Sequence, residues 1–466
     1  MKKNLKNYID KRFDYGFDFN EIADSIPSVK KKPIYRKPVF IGAVSLTLIG
    51  GITLGVCLPS LLKKDGKTPT VLTDIRLNEV VRPYNSEPVS LSDEYLTSIG
   101  DFTSDFFAQL NSERNRIFSP LSIMTCYSML LEGCAGDSKT QLSAALHIDD
   151  LDKFREETKK MLENTSLNAE TSVLEIAQSI WADSGFSDLI WPSYLDCLSE
   201  NYYAEGYRAK LNSDEAKETL ADWINEKTRN FLDVEAKDFK DYGGVMWLLN
   251  TIYLKSSWAS SFNESADVKG TFTNLDKSLN EEITFMSKIE EGLYYSDAEL
   301  TLASLNLSDG LKVNFLLPNR ETDASAILNG EKYLDLLLNQ HTLAKTFGFL
   351  NIRLPQFKMM QSIGLVDIMK NLGATDIFDE SKANLGNLAD SSRTEGNLYV
   401  SKSKHEAGIE FTHTGVEAAA YTIIDCPTSS APSQSKSIEF YLDRPFLFTV
   451  TDRIGIPLFV GSVSEL

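Results

Sequence analysis

The most informative part of this chain is Gly415-Val416-Glu417-Ala418-Ala419-Ala420-Tyr421-Thr422, about 45 residues before the C-terminus. Every second side chain in it, beginning with Val416, is compact and uncharged. Because side chains alternate between the two faces of a strand, one face of this stretch would carry only compact, uncharged residues: Val416, Ala418, Ala420 and Thr422. Such a face can enter between two existing strands without a steric clash. Alanine and glycine are poor strand formers, so the stretch predicts a strand held in reserve. Taken alone it is also typical of a turn of helix, and its flanks must decide.

The flanking sequence contains a series of short motifs in a fixed order. The first, Ile117-Phe118-Ser119-Pro120-Leu121-Ser122-Ile123, predicts a helix start, because serine is a favoured N-cap and proline is tolerated at the first helical position. This helix is expected to run through 129–133 to a glycine. The later motifs lie at residues 222–228, 249–258, 354–358, 373–378 and 398–405. Each motif is weak alone, whereas the ordered series is specific.

The series resembles the serpin family over about residues 90–466, and 415–422 resembles the hinge of the family's reactive-centre loop. The resemblance implies a single α+β domain with the serpin fold. It would have a large, mainly antiparallel sheet, smaller sheets, surrounding helices and an exposed reactive-centre loop at about 413–438. The mixture of helical and strand-like patterns without regular βαβ spacing also favours the α+β class.

The same resemblance implies suicide inhibition of serine proteases. A protease cleaves the loop, becomes acylated and is trapped when the hinge, residues 415–422, inserts as a new middle strand of the large sheet. The family's spacing from the hinge places the reactive bond between Ser429 and Ser430, with Thr428 and Ala431 as alternatives. No arginine or lysine occurs from 415 to 435. The expected partner is therefore an extracellular elastase-like or subtilisin-like protease in a covalent complex, and the inhibitor is expected to be a monomer.

The resemblance also assigns a structural gate, without chemistry of its own, at the family's shutter and breach. In this sequence the gate residues are Ser119, Ser122, Asn250, Trp258 and His405. His413 stands where the family usually has a glutamate, two positions before the hinge glycine. An ion pair at the top of the sheet is therefore expected to be missing.

The N-terminus departs from a simple secreted member of the family. Residues 40–58 form an almost uninterrupted apolar run of 19 residues without charge, which is just long enough to cross a bilayer as a helix. Five lysines and arginines lie at 30–37 and predict a cytoplasmic N-terminus. We therefore expect a cytoplasmic tail (1–37), a single transmembrane helix (38–62), a linker (63–89) and an extracellular serpin domain (90–466). A cleaved signal peptide, which would give a secreted protein, and a buried core helix are the alternatives.

The charge balance limits the partners. Residues 1–37 hold ten lysines and arginines against five acidic residues, whereas the remainder carries a net charge of about −24. So acidic a domain should repel nucleic acid and heparin-like polyanions. A cysteine-sparse, anchored serpin suggests a bacterial surface, by analogy at the level of the family.

The residue inventory argues against an enzyme. The four histidines show no metal-ligand spacing, and neither a Gly-x-Ser-x-Gly elbow nor a phosphate-binding glycine loop occurs. No metal or cofactor is expected. Five cysteines without regular spacing do not form a disulfide framework; Cys126 and Cys134 are expected to be core thiols. Two alternatives to an inhibitor stay open: a non-inhibitory serpin that serves as a cell-surface binding module, and an unrelated hydrolase.

Overall fold

The computed structural model describes residues 51–57, 75–76, 82, 89–110, 114–239, 244–394, 396–416 and 437–466. For 51–57 and 75–76 it describes the backbone alone. These residues all belong to one compact unit, Leu46–Leu466. The expected cytoplasmic tail and most of the expected linker lie outside the described residues.

The helices begin where the sequence supplies caps. Ser92 accepts a hydrogen bond from the backbone of Tyr95 at the start of the first helix, and Ser119 does the same for Ser122 at the second. Pro120 occupies the first turn, as predicted, and Gly133 is the last helical residue. The α-helices in the described ranges are α1 Asp93–Ala108, α2 Pro120–Gly133, α3 Gly136–Ala145, α4 Leu151–Thr165, α5 Pro192–Asn201, α6 Asp214–Lys227, α7 Ala324–Asn329, α8 Glu331–Leu338 and α9 Val366–Asn371.

The strands of the described residues fall into two groups. The first group is β1 Gly51–Cys57, β2 Ile75–Arg76, β4 Leu167–Asn168, β5 Ser172–Asp183, β6 Ala204–Ala209, β7 Met246–Ser257, β13 Phe357–Gly364, β14 Tyr399–Phe411 and β15 Gly415–Val416. The second group is β3 Arg116–Phe118, β8 Val268–Thr273, β9 Leu279–Ser296, β10 Leu300–Asn306, β11 Lys312–Pro318, β12 Thr346–Pro355, β16 Ser437–Tyr441, β17 Phe446–Thr451 and β18 Pro457–Val463.

The first group forms sheet A. Its strands pair antiparallel except β5 and β6, which are parallel. β13 pairs with β14, and β7 continues through β5 and β6 to β2. In the described residues, β14 and β7 do not pair directly with each other, and we call the position between them the central gap. β1 and β15 occupy this gap, and each of them pairs with both β14 and β7.

The second group forms one further sheet of nine strands. β9 spans 18 residues. Its first part pairs with β8, its middle with β12, and its end with β10. The smaller sheets expected from the sequence are thus joined through this single strand. The large sheet, smaller sheets and helices of the serpin fold are confirmed.

The two faces of sheet A have different coverings. Along β7, Leu248, Ile252 and Leu254 face the main core, which also contains α2. Trp247 and Leu249 face a second cluster, to which α6 contributes Leu220, Trp223 and Ile224. This alternation follows from the period of two along a strand. Every residue of β7 apart from Lys255 and Ser257 is fully buried, as expected for a strand covered on both sides.

The predicted transmembrane helix is wrong for part of its span. Gly51–Cys57 is a strand of sheet A in the structure, and the other residues of the apolar run lie outside the described ones. The structure therefore contradicts the predicted helix at 51–57. Among the described helices, none is both long and apolar enough to cross a membrane. An apolar run of this length identifies a segment that needs burial, and a sheet can supply that burial as well as a lipid.

Candidate functional site

The described part of the predicted hinge lies inside sheet A. In β15, Gly415 lies opposite Ser257 and Val416 opposite Ser256 of β7. On the other side Val416 pairs with Phe411 of β14. A tight turn connects the two strands, because the backbone N–H of Thr412 donates to the carbonyl of Gly415 at 2.9 Å. The chain therefore turns back from β14 and enters the central gap at once.

The two ends of the expected reactive-centre loop, about 413–438, lie in described strands. Gly415 and Val416 form β15. Ser437 and Ile438 belong to β16, which pairs in parallel with β12. The other hinge residues (Glu417, Ala418, Ala419, Ala420, Tyr421 and Thr422) and the predicted reactive-bond residues (Thr428, Ser429, Ser430 and Ala431) lie outside the described residues.

Gly415 is required by close packing. A Cβ atom at this position would lie 2.1 Å from the carbonyl oxygen of Ser256 and 2.8 Å from the Cα of Ser257. Both neighbours are backbone atoms, so no side chain can move aside to relieve the clash. Glycine is thus needed where β15 begins because the neighbouring strand comes too close for any side chain.

Val416 is the first residue of the hinge with a buried side chain. It is only 3% exposed and belongs to the main core cluster. A narrow cleft extends beneath it between β7 and β14, lined among others by Ile252, Leu254 and Ile409. The lining is mainly apolar, with Glu410 as its one charged residue, so the cleft accepts compact, uncharged residues and disfavours a charge without a partner. The sequence expectation for the inward face of the hinge fits this environment at its first position.

The base of the hinge is held by the carbonyls of three successive residues. The backbone N–H of Trp258 donates to the carbonyl of Thr414 at 2.9 Å, and its indole N–H donates to that of Thr412 at 2.8 Å. The backbone N–H of Phe262 donates to the carbonyl of His413 at 2.9 Å. Trp258 is nearly buried and its ring stacks on Phe411 at 6.2 Å. The predicted breach residue thus touches the point where the loop departs.

The ion pair of the family's glutamate was expected to be missing, and His413 has an acidic partner of its own. Its Nε2 lies 2.8 Å from Oδ1 of Asp267. The short distance shows a hydrogen bond between the imidazole and the carboxylate. Histidine and aspartate at these two positions therefore supply the contact that the family's glutamate was expected to provide.

The shutter is built from the start of α2 and the middle of β14. Nε2 of His405 accepts a hydrogen bond from the backbone N–H of Ser119 at 3.0 Å, and both residues are fully buried. Burial lowers the pKa of His405 to about 3, so the ring is neutral at neutral pH. Since Nε2 accepts, the ring proton resides on Nδ1. Among the described atoms Nδ1 has no hydrogen-bond partner.

The other shutter residues are also buried with unused polar atoms. Asn250 is 0% exposed, and neither its side-chain oxygen nor its nitrogen has a partner within the described part of the chain. The same holds for Oγ of Ser122. The structure thus brings His405 to Ser119 but leaves Ser122 and Asn250 without side-chain hydrogen bonds. Buried polar atoms without partners are rare, and several of them lie beside the central gap.

Sequence reasoning missed three contributors to this site: Phe262, Asp267 and Phe411. Phe411 is the last residue of an apolar alternation with Ala407 and Ile409, so its burial could have been predicted from the sequence. The other two lie about 150 residues before the hinge, and nothing local links them to it. The core thiols were found: Cys126 and Cys134 are fully buried.

Comparison with known proteins agrees with this architecture. The family model described as serpin, serine protease inhibitor, matches residues 97–466. Serpin B7 of Homo sapiens is 25% identical over 386 residues, covering 78% of this chain and 97% of that protein. The native state of the thermophilic serpin tengpin has a TM-score of 0.70 at 21% identity, covering 85% of this chain and all of that one. Human thyroxine-binding globulin complexed with thyroxine has a TM-score of 0.68 at 19% identity, covering 80% and 99%. The chain belongs to the serpin family of serine protease inhibitors.

Proposed function

We propose that this protein is a suicide inhibitor of extracellular serine proteases, acting by loop cleavage, acyl-enzyme trapping and strand insertion. The observation that carries the proposal is Val416: a compact, uncharged side chain already buried at the mouth of the central gap. In the sequence it is followed on the same face by Ala418, Ala420 and Thr422. None of these side chains is charged or large, so the face itself is suited to burial in a sheet.

The energetics favour insertion. A strand of about ten residues that pairs on both sides gains hydrogen bonds worth roughly 0.5–1.5 kcal/mol each. The total is on the order of 10 kcal/mol, which rivals the whole stability of a typical domain. A gain of that size can offset the deformation of a captured protease. The uncleaved protein would then be held by a kinetic barrier.

The loop sequence indicates the class of target. We place the reactive bond between Ser429 and Ser430, with Thr428 and Ala431 as the next candidates. Small, uncharged residues at this place suit proteases with shallow specificity pockets, as in elastase-like or subtilisin-like enzymes. A trypsin-like enzyme would have to cut at Lys436, directly before β16, where the loop is too short to reach an active site.

The test is to mix the protein with an elastase-like protease and separate the products on a denaturing gel. We expect a band at the summed mass, and mass spectrometry of the released C-terminal peptide should show Ser430 as its first residue. Trypsin serves as the matched control and should give no such band. If the elastase-like protease releases only cleaved protein and no adduct forms, the protein is a substrate and the proposal fails.

One alternative has an observation in its favour. The solved structures that this chain resembles include thyroxine-binding globulin complexed with thyroxine, so the fold also serves to bind a small ligand. A non-inhibitory binding module of that kind would be cleaved in its loop without a rise in melting temperature. A hydrolase would instead turn over a small ester substrate. We also propose that the protein acts outside the cell as a monomer. Its attachment to the membrane through residues 38–62 and its bacterial source stay predictions.

A further inference from the structure

The central gap of sheet A holds a second segment besides the hinge. The backbone of β1 pairs antiparallel with β7, from Gly51 opposite Thr251 to Val56 opposite Met246. On its other side β1 pairs antiparallel with β14, from Gly51 opposite Glu406 to Cys57 opposite Tyr399. The N-terminal segment thus fills the lower part of the gap as a middle strand.

The register of β15 shows where an inserting loop would go. Val416 lies opposite Ser256 on β7 and opposite Phe411 on β14, and both pairings are antiparallel. If both pairings continue in the same register, residue 421 of the loop would lie opposite Thr251 on β7. Residue 421 would also lie opposite Glu406 on β14. The two sides agree, so Tyr421 would take the register position that Gly51 holds.

From these registers we propose that Gly51–Cys57 and the reactive loop compete for the central gap. With β1 in place the loop can add only four further residues, 417–420, before it meets Gly51. Insertion of a full strand requires β1 to leave the sheet. The N-terminal segment is therefore an intrachain competitor that controls how far the loop inserts, and this role rests on the proposed inhibitory function.

The sequences of the two segments explain why β1 can hold this position. Residues 421–427 read Tyr-Thr-Ile-Ile-Asp-Cys-Pro, whereas 51–57 read Gly-Ile-Thr-Leu-Gly-Val-Cys. The loop would bring a charge at Asp425 and a proline at Pro427, which cannot donate to a central strand's ladder. The N-terminal segment has neither, and its alternate residues Ile52, Leu54 and Val56 are all apolar.

The polar atoms beside β1 show that it can also be released. Asn250 and His405 both lie opposite Ile52, so they share one row across the gap. While β1 separates them they are about two strand spacings, or roughly 9.6 Å, apart. Their unused atoms are complementary, since His405 offers the N–H of Nδ1 and Asn250 an oxygen acceptor. Departure of β1 would let β7 and β14 approach and this pair form.

A disulfide lock in the full-length chain tests occupancy of the gap. Thr53 lies opposite Lys404 of β14, and opposite residues of antiparallel strands have Cα separations suited to a disulfide. The variant carrying Thr53→Cys and Lys404→Cys should cross-link on mild oxidation, as peptide mapping would show. The control carries Thr53→Cys and Glu410→Cys. Glu410 is six residues along the same strand, about 20 Å away, and should not cross-link. Failure of the first pair to react, or reaction of both pairs, overturns the proposal.

The same variant tests competition. The locked protein should consume at least ten times as many molecules per trapped elastase-like protease as the same protein after reduction. Equal values in the two states would overturn the competition. If the reduced protein traps no protease at all, the proposed function fails separately. The melting temperature after loop cleavage then decides: a rise in the reduced protein that the lock abolishes supports the competition, and equal behaviour refutes it.

Discussion

Replacing Val416 by arginine tests the hinge assignment directly. The valine is 3% exposed, faces the main core and lies between Ser256 and Phe411. Neither neighbour offers a counter-charge, and Glu410, which also lines the cleft, lies on the other face of β14 because side chains alternate along a strand. An arginine here would either bury an unpaired cation or hold the hinge out of the sheet.

The expected slowing of insertion follows from the cost of burying this arginine. Leaving a charge buried without its partner costs about 3–5 kcal/mol. Insertion starts at this residue, so most of the cost falls on the insertion step. Each 1.36 kcal/mol is a tenfold change in rate, so this cost slows insertion by roughly 10² to 5 × 10³-fold. The rate of hydrolysis of the acyl-enzyme does not change, so hydrolysis would release the protease before the loop inserts.

The assay measures how many inhibitor molecules are consumed per protease trapped, together with the adduct band on a denaturing gel. Val416→Arg should be cleaved at an unchanged rate but form almost no adduct. The matched control is Glu417→Arg. If the register of β15 continues by one residue, this position would lie opposite Lys255 and Glu410, which are both partly exposed, so this variant should remain an inhibitor. If Val416→Arg traps protease with the same stoichiometry as the parent, the hinge assignment is wrong.

Three further predictions concern the frame around the hinge. Gly415→Ala should lower the free energy of unfolding in urea by about 1–3 kcal/mol because its Cβ meets backbone at 2.1 Å, whereas Gly364→Ala, with nothing within 4 Å, should change it far less; equal effects would refute the close-packing argument. His405 has its pKa lowered to about 3, so the unfolded chain takes up a proton near pH 6.5 while the folded chain does not. The free energy of unfolding should therefore fall by about 1.4 kcal/mol per pH unit from 6.5 towards 3, and His405→Gln should lose this slope relative to the parent; an unchanged slope would contradict the burial of a neutral ring. Trp258→Phe removes the indole donor to the carbonyl of Thr412 and should cost about 1–2 kcal/mol, with faster amide exchange at 413–416; unchanged exchange would count against its role at the hinge base.

Local rules account for the parts of the fold that the sequence predicted well. The start of α2 follows from a serine cap and a proline in the first turn, which need no distant partner. The apolar alternation of Ala407, Ile409 and Phe411 is typical of a strand, and these residues lie in β14. The alternation of small residues at 415–422 predicted which face turns inward, and Val416 is placed accordingly.

Non-local contacts account for what was missed. His413 gains Asp267 from 146 residues away, and no local pattern reports such a pairing. The error over residues 51–57 has the same origin. Hydropathy shows that a segment needs an apolar environment, but it does not distinguish a lipid from the gap between two strands about 200 and 350 residues downstream.

A strand within the central gap has consequences for the energy available to trap a protease. Gly51–Val56 are paired on both sides, and their hydrogen bonds contribute on the order of 10 kcal/mol in total. This gain comes from the same ladders that an inserting loop would use. A loop that displaces β1 therefore gains only the difference between the two strands. The four free positions above Gly51 yield a full gain of their own, so partial insertion is favourable even while β1 stays. Full insertion of the loop, which moves the protease across the molecule, requires that β1 has already dissociated from the sheet. Any condition that removes the N-terminal segment from the sheet would therefore activate the inhibitor.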